Sequence, residues 1–305
     1  MTNHNKQLSS PFSTGGGGHN FEMRVQAYFV TLMLSGGFAP ALPPWPIKRI
    51  KLQGKYVGYD TDDAIVFVER PDGKKERRLL CQIKHSISIT KARTNKVFRD
   101  VIQGAWNDFN NKKVFRIGID IIALITGPLS TTDINDVRWI LEQARNSDSA
   151  ADFLTKVNLV KFSSKQKISK LEAFREQIKN ANGGNDISDD NFWQFMKSFH
   201  LLGYDLDIKA GVTLSLVQSL IGQYSTENAH SLWTQIIDEV QSANQNAGTI
   251  TIELLPEDIR NAFQKPGVET TPADLGIKPS APALINWDNT KLAIVNLLGG
   301  WDENA

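Results

Sequence analysis

Cysteine is almost absent from this sequence. Of its 305 residues only Cys81 carries a thiol, which excludes an internal disulfide and a zinc site built on several thiolates. The five histidines form no HxH or HxxxH pair, so a metal centre built on imidazole is not indicated either. Cys81 falls on the predicted buried face of a strand, and we interpret it as a small core residue.

Long apolar runs are also missing. No stretch approaches the roughly 18 residues that a membrane span requires, and the N-terminal residues lack the basic and then apolar pattern of a signal peptide. With 41% hydrophobic and 22% charged residues, the composition is typical of a soluble globular protein. We therefore expect a cytoplasmic protein with no membrane partner.

Net charge is close to zero, but its distribution along the chain is uneven. Residues 1–116 carry 19 Lys and Arg against 9 Asp and Glu, whereas residues 117–305 carry 15 against 24. A positive field in the first part would favour a polyanion such as nucleic acid, with binding that weakens as salt rises. A solvated basic surface with no such partner is the alternative.

The stretch from residue 56 to 88 predicts two strands joined by a tight turn at Pro71-Asp72-Gly73. Asp63 opens the apolar run of the first strand, and Gln82 and Lys84 share one face of the second. A carboxylate at a strand end, beside an amide oxygen and an ammonium, suits a hard divalent cation and a phosphodiester. The chain is predicted to be organised around this hairpin.

An apolar helical pattern runs from Phe21 to Leu34, with Asn20 as its expected N-cap and Gly36-Gly37 as its stop. Glu22 and Gln26 are four residues apart, so they share one face of this helix. The glycines before the helix lack the Gly-Lys-Ser/Thr ending of a nucleotide P-loop. A polar lead-in over residues 1–18 is the simpler interpretation.

Strands and helices then alternate, which indicates a mixed α/β sheet flanked by helices and followed by a mostly helical C-terminal part. Asp205 and Asp207 are interpreted as solvated loop residues without a nearby His or Lys. Further strands are predicted at 47–52, 115–126, 159–162 and 249–253, helices at 99–108, 134–144, 165–180, 188–199, 209–224 and 226–244, and a connection at 201–207.

A basic segment leads into the helix that follows the hairpin. Lys91, Arg93, Lys96 and Arg99 are candidate contacts to phosphates of DNA, and a solvated helix face is the equal alternative. Gln103, on the same helix, is expected to point into the site.

The order of these motifs resembles a known family. An acid on the first helix, an acid at a strand start and then Gln82-Ile83-Lys84 is similar to the PD-(D/E)xK nuclease superfamily in its Mrr-like branch, where Gln replaces the second acid. With the glycine run and Phe21-Glu22, the pattern resembles the double-stranded DNA nuclease effector domain of bacterial antiphage defence proteins, of the CBASS effector and STAND NTPase (Avs) types. The resemblance covers roughly residues 15–205.

The resemblance implies a restriction-endonuclease-like sheet and a Mg²⁺- or Mn²⁺-dependent endonuclease. Its catalytic residues would be Glu22, Asp63, Gln82 and Lys84. Asp63, the Gln82 oxygen and Glu22 would bind the metal, with Asp62 in reserve because Asp60, Asp62 and Asp63 all stand near the expected acid. Lys84 would orient the attacking water and offset charge in the transition state.

The resemblance also implies a domain organisation. We expect a flexible segment at 1–18, a nuclease domain at 19–205, a helical extension at 206–263, and a linker with the start of a truncated domain at 264–305. The chain would then be the N-terminal piece of a longer protein with an NTPase or sensor, acting as a homo-oligomer in antiviral defence. Two alternatives stay open: an inactive DNA-binding or oligomerisation module, and an RNA-directed nuclease.

Overall fold

A computed structural model describes residues 16–159, 161, 163–225 and 229–264. The residues up to Gln264 form one compact unit. Most of the predicted N-terminal segment, and the predicted linker and truncated domain from residue 265 onward, lie outside the described residues.

The described part contains a six-stranded mixed sheet with the order β5-β4-β3-β2-β1-β6. Neighbours in the set β3, β4 and β5 run parallel, and the remaining neighbours run antiparallel. The prediction of a mixed α/β fold is confirmed. The strands are β1 (Ile47–Leu52), β2 (Ala64–Glu69), β3 (Glu76–Ile83), β4 (Ile121–Thr126), β5 (Phe199–Gly203) and β6 (Thr249–Ile250).

Helices cover both faces of this sheet, and the last three make up the helical C-terminal part. Among the described helices, none is both long and apolar enough to cross a membrane. The helices are α1 (Gly17–Ser35), α2 (Lys96–Asn110), a π-helical turn (Asp133–Arg138) that leads into α3 (Trp139–Arg145), α4 (Ala150–Asn158), α5 (Lys165–Ala181), α6 (Asp189–Ser198), α7 (Val212–Gly222), α8 (Ala229–Gln245) and α9 (Glu257–Ala262).

Alternation along the central strands sends side chains into two separate cores. Ala64, Val66 and Val68 of β2 join the core under α1, α7 and α8. Ile65 and Phe67 join the core under α2, α3, α5 and α6. Cys81 is fully buried in the first core, as expected.

Helix α1 begins earlier than the sequence predicts. Its first residue is Gly17, and Gly16 precedes it in the left-handed region at φ 80°, so Asn20 lies inside the helix and is not its N-cap. The glycines therefore extend the helix. The predicted stop is confirmed, because Gly36 ends α1 with φ 72°.

Strand β4 is shorter than the predicted strand 115–126. The Arg116 guanidinium binds the fully buried Asp120 carboxylate at 2.7 Å, and Gly118 between them has φ 76°. A turn closed by an ion pair therefore replaces the first half of the apolar run.

One further prediction about strands is wrong, and another is not tested over its whole length. Residues 199–203 form β5 rather than part of a connection, because the segment pairs with β4 from Phe199 to Gly203. The strand predicted at 159–162 falls partly outside the described residues, and Leu159 lies in the cap of α4.

Helix α2 fixes the loop that leads into β2. The Asp108 carboxylate accepts hydrogen bonds from the backbone N–H groups of Asp60 at 2.9 Å and Thr61 at 2.7 Å. Gly104 lets the two segments approach closely, since a Cβ there would lie 2.8 Å from the Asp60 carbonyl oxygen. The position of Asp63 at the end of this loop therefore depends on packing against α2.

Substituting Gly104→Ala should destabilise the protein, because the added methyl group would push the backbone at Asp60 away. We expect a loss of about 1–3 kcal/mol in the free energy of unfolding, measured by urea denaturation. Gly18→Ala in α1 is the control, because its Cβ would meet no atom within 4 Å. Equal stability of the two variants would contradict the close approach of α2 to the loop.

Candidate functional site

Asp63 lies at the centre of a cluster at the junction of β2 and β3. Ala64 pairs with Cys81, so antiparallel register brings Asp63 opposite Gln82. The Asp63 Oδ2 atom accepts hydrogen bonds from Gln82 Nε2 at 2.5 Å, Ile83 N at 2.6 Å and Lys84 Nζ at 3.2 Å. One carboxylate thus binds three consecutive residues of the neighbouring strand end.

The cluster is poorly accessible to solvent. Asp63 is 8% exposed and Gln82 is 9% exposed, whereas the Lys84 side chain keeps 35% of its surface. A buried carboxylate needs a compensating charge or several donors, and Asp63 has both. Lys84 therefore extends from the edge of the cluster towards solvent.

Glu22 reaches this cluster from α1. Gln26, one turn further on and fully buried, donates from Nε2 to Glu22 Oε1 at 3.1 Å and to the Asp63 carbonyl oxygen at 2.7 Å. The same amide therefore ties the helix acid to the strand acid. The structure brings together the side chains of Glu22, Asp63, Gln82 and Lys84.

Negative charge exceeds positive charge in this site. Burial, followed by the charge of Asp63, raises the pKa of Glu22 from 4.5 to about 7, against the opposing effects of Lys84 and Gln26. Burial and Asp63 also raise the pKa of Asp62. Carboxylates held together where water cannot solvate them fully are a favourable environment for a cation.

The donor set fits a hard divalent cation in part. The carboxylates of Glu22 and Asp63 are oxygen ligands of the kind that Mg²⁺ prefers. Gln82 presents its Nε2 atom to Asp63, so its role as an oxygen ligand stays a prediction. Among the described residues, no three His, Cys, Asp or Glu side chains form a metal-binding group, and the site depends on two acids and an amide.

The three neighbouring acids have different surroundings. Asp60 is exposed, and its Oδ2 atom accepts a hydrogen bond from Asn107 on α2 at 2.8 Å. Asp62 is half-buried, and its carbonyl oxygen accepts the Gly54 N–H at 2.7 Å. Of these three acids, Asp63 is the one whose carboxylate accepts hydrogen bonds at the end of β3, and its choice as the metal ligand before the reserve Asp62 stays a prediction.

His85 has an acidic partner that the sequence did not predict. Its Nε2 atom lies 2.8 Å from Asp207 Oδ2, and the Asp207 side chain is only 13% exposed. The prediction of a solvated Asp207 without a His partner is wrong. Strands β3 and β5 both run parallel to β4, so Asp207, which follows β5, reaches His85, which follows β3 122 positions earlier. Asp205 caps α7 by accepting the Val212 and Thr213 N–H groups.

The predicted DNA contacts lie on the surface beside α2. Lys91 forms an ion pair with Glu172 at 2.7 Å, and Arg99 approaches Asp100 at 3.8 Å. Lys96 begins α2 and Arg93 precedes it in the exposed segment. Their role in binding phosphate stays a prediction.

Gln103 does not point into the site. Its amide donates to Asn107 at 2.9 Å and to the Ala181 carbonyl at 3.2 Å, so it joins α2 to α5.

Two other amides, those of Gln53 and Asn244, do reach the cluster, and the sequence did not predict them. Gln53 Nε2 lies 3.2 Å from Glu22 Oε1. Neither residue belongs to a recognisable motif.

The fold and the site define a mixed α/β protein with two carboxylates, an amide and a lysine at one end of a β-hairpin. No family model and no curated protein matches the chain. Solved structures that resemble it include the Acinetobacter baumannii Cap4 SAVED/CARF-domain containing receptor, both alone and with the cyclic trinucleotide 3′3′3′-cAAA. A third is the same receptor with 2′3′3′-cAAA.

The likeness to these receptors is distant. Identity is 12% and the TM-score is 0.44, over 81% of this chain and 46% of the receptor bound to 3′3′3′-cAAA. The form without ligand gives the same identity and TM-score over 82% of this chain and 46% of that one. The chain thus spans less than half of the receptors' length, and a likeness of this size does not assign their ligand to it.

The expected family and function are corrected by this comparison. The structures found are titled as a SAVED/CARF-domain containing receptor, two of them with a cyclic trinucleotide, and not as PD-(D/E)xK nucleases. No family model supports the nuclease resemblance. Membership of that superfamily and the function of a double-stranded DNA endonuclease effector, with its inactive-module and RNA-directed variants, are therefore not retained. A motif of four polar residues contains too little information to specify a family.

Substituting Glu22→Gln should alter the pH dependence of stability. Because the pKa of Glu22 is about 7 in the folded chain against 4.5 ordinarily, the folded protein keeps this proton as pH rises between those values. The wild type should therefore lose stability above pH 4.5, until the change is complete above pH 7, by an amount on the order of 3 kcal/mol. The Gln variant should not show this loss.

Urea unfolding at about pH 5 and about pH 8, with EDTA present, measures the difference. The control is Glu172→Gln, at an exposed acid that pairs with Lys91 on the surface. The same pH dependence for wild type and Glu22→Gln would show that Glu22 does not share a buried site with Asp63.

Proposed function

We propose that the Glu22–Asp63–Gln82–Lys84 site binds a divalent cation, Mg²⁺ or Mn²⁺, and hydrolyses phosphodiester bonds. The observation that supports this most is the pair of carboxylates, one accepting three hydrogen bonds at a strand end and the other with a raised pKa beside it. A lysine ammonium 3.2 Å from Asp63 lies where an anionic substrate can also reach it.

Each residue has a task that its position supports. Glu22 and Asp63 would hold the cation, which when bound polarises phosphate oxygens and lowers the pKa of water. Lys84, with part of its side chain exposed, would stabilise the charge that develops on phosphate. A new P–O bond forms from water, the bond to the leaving oxygen breaks, and that oxygen takes up a proton.

The substrate is proposed only as a class. A phosphodiester link in a small ligand, such as a cyclic trinucleotide, suits the described cluster, which would recognise a phosphate beside a cation rather than a base. A role in antiviral defence, expected from the sequence, belongs to the same proposal. Homo-oligomerisation and fusion to an NTPase or sensor stay predictions.

Substituting Asp63→Asn should reduce metal-dependent hydrolysis by about 100-fold or more, because it removes a ligand charge and the partner of Lys84. Asp60→Asn is the matched control: the same change, three residues earlier, at an exposed side chain that contacts Asn107. This control should keep activity near that of the wild type.

The assay compares Mg²⁺, Mn²⁺ and EDTA on bis(p-nitrophenyl) phosphate and on a cyclic trinucleotide. Hydrolysis of either compound that requires metal and Asp63 supports the proposal. Absence of metal-dependent hydrolysis of both compounds, or equal loss in both variants, would overturn it.

A further inference from the structure

A closed ring of hydrogen bonds connects Glu22 to α8. Asn244 Nδ2 donates to Gln26 Oε1 at 2.6 Å, and Gln26 Nε2 donates to Glu22 Oε1 at 3.1 Å. Gln53 Nε2 completes the ring, donating to Glu22 Oε1 at 3.2 Å and to Asn244 Oδ1 at 3.2 Å. Two amides thus present N–H groups to one oxygen of the site.

The ring of hydrogen bonds forms only if each side-chain amide has its oxygen and its nitrogen in the observed positions. Each amide has an oxygen that accepts and a nitrogen that donates, and a 180° turn exchanges them. Asn244 donates to Gln26 and accepts from Gln53, so it fixes the orientation of both. If the Gln26 amide were rotated by 180°, its oxygen would face the Glu22 carboxylate, and the two oxygens would repel each other.

The backbone around the ring is held in an uncommon conformation. Gln53 has φ 50° and Ala247, three residues after Asn244, has φ 44°. Residues other than glycine adopt such angles rarely, and they persist where the surroundings fix them. Strand β6 pairs with β1 just beyond, and Lys51 Nζ donates to the Ala247 carbonyl.

We infer that Asn244 is a positioning residue of the proposed cation site, acting through Gln26 and Gln53 on the Glu22 carboxylate. The inference rests on the proposed function. It assigns to the helical extension after residue 205 a part in building the site. Residues near a metal ligand that fix its orientation typically change metal affinity by 10–100-fold.

The test is Mn²⁺ affinity, measured by the electron paramagnetic resonance signal of free Mn²⁺, together with the melting temperature in EDTA. Asn244→Asp keeps an acceptor for Gln53 but faces the Gln26 oxygen with a carboxylate oxygen, which favours the wrong orientation of Gln26. We expect Mn²⁺ binding about tenfold weaker. Asn244 also lines an open cavity of about 420 Å³, so the substitution leaves no void in the core.

The matched control is Asn246→Asp, which adds the same negative charge two residues further on. Asn246 lines the same cavity, and its Nδ2 atom donates only to the Ser242 carbonyl of the preceding turn among the described residues. We expect its Mn²⁺ affinity to equal that of the wild type. A merely structural role for this end of α8 would instead make affinity follow melting temperature in both variants.

A second variant covers the case in which Asn244→Asp fails to fold. Gln53→Asn keeps an amide that tolerates the positive φ but shortens the side chain by one methylene, so that it no longer reaches Glu22. We expect weaker Mn²⁺ binding with an unchanged melting temperature. Tight Mn²⁺ binding by the wild type and equally tight binding by both ring variants would overturn the role of Asn244 alone. No Mn²⁺ binding by the wild type would overturn both this inference and the proposed function.

Discussion

The burial of Glu22, together with the charge of Asp63 beside it, is the constraint on which the rest of the site depends. Lys84 supplies one ammonium, and amide and backbone N–H groups supply the remaining donors. These donors are insufficient to return Glu22 to its ordinary ionisation, since its pKa stays near 7. The site therefore favours an additional cation.

The topology explains how this arrangement is maintained. The β2–β3 hairpin places Asp63 opposite Gln82 through its register, and α2 fixes the preceding loop through Asp108. The acid on α1 is connected to both strands by the buried amide of Gln26. Distortion at any of these supports would therefore move a carboxylate of the site.

Sequence patterns were sufficient for the local parts of this structure. Alternation placed Cys81 on a buried face of β3, and helical spacing identified α1 with its end at Gly36. Three of the four site residues, Asp63, Gln82 and Lys84, were grouped because they lie on one hairpin, whereas Glu22 was added to them only by the resemblance to the nuclease motif. The strand at 199–203 was missed because its pairing partner, β4, is distant in sequence.

The amide contacts could not be predicted for a related reason. Gln53 and Asn244 carry no charge and belong to no motif, and Asn244 lies 218 positions from Gln26. Asp207, the partner of His85, was missed because 122 positions separate the two residues. The family assignment failed differently: a spacing of four polar residues describes a possible chemistry, but many unrelated chains share it.

The central claim is that a cation binds between Glu22 and Asp63. Anomalous diffraction from crystals soaked in Mn²⁺ tests it most directly, because it locates the ion without depending on turnover. The account predicts a peak within coordination distance, about 2.0–2.3 Å, of an oxygen of each carboxylate. Density with no peak there at saturating Mn²⁺, with both carboxylates in place, would contradict it.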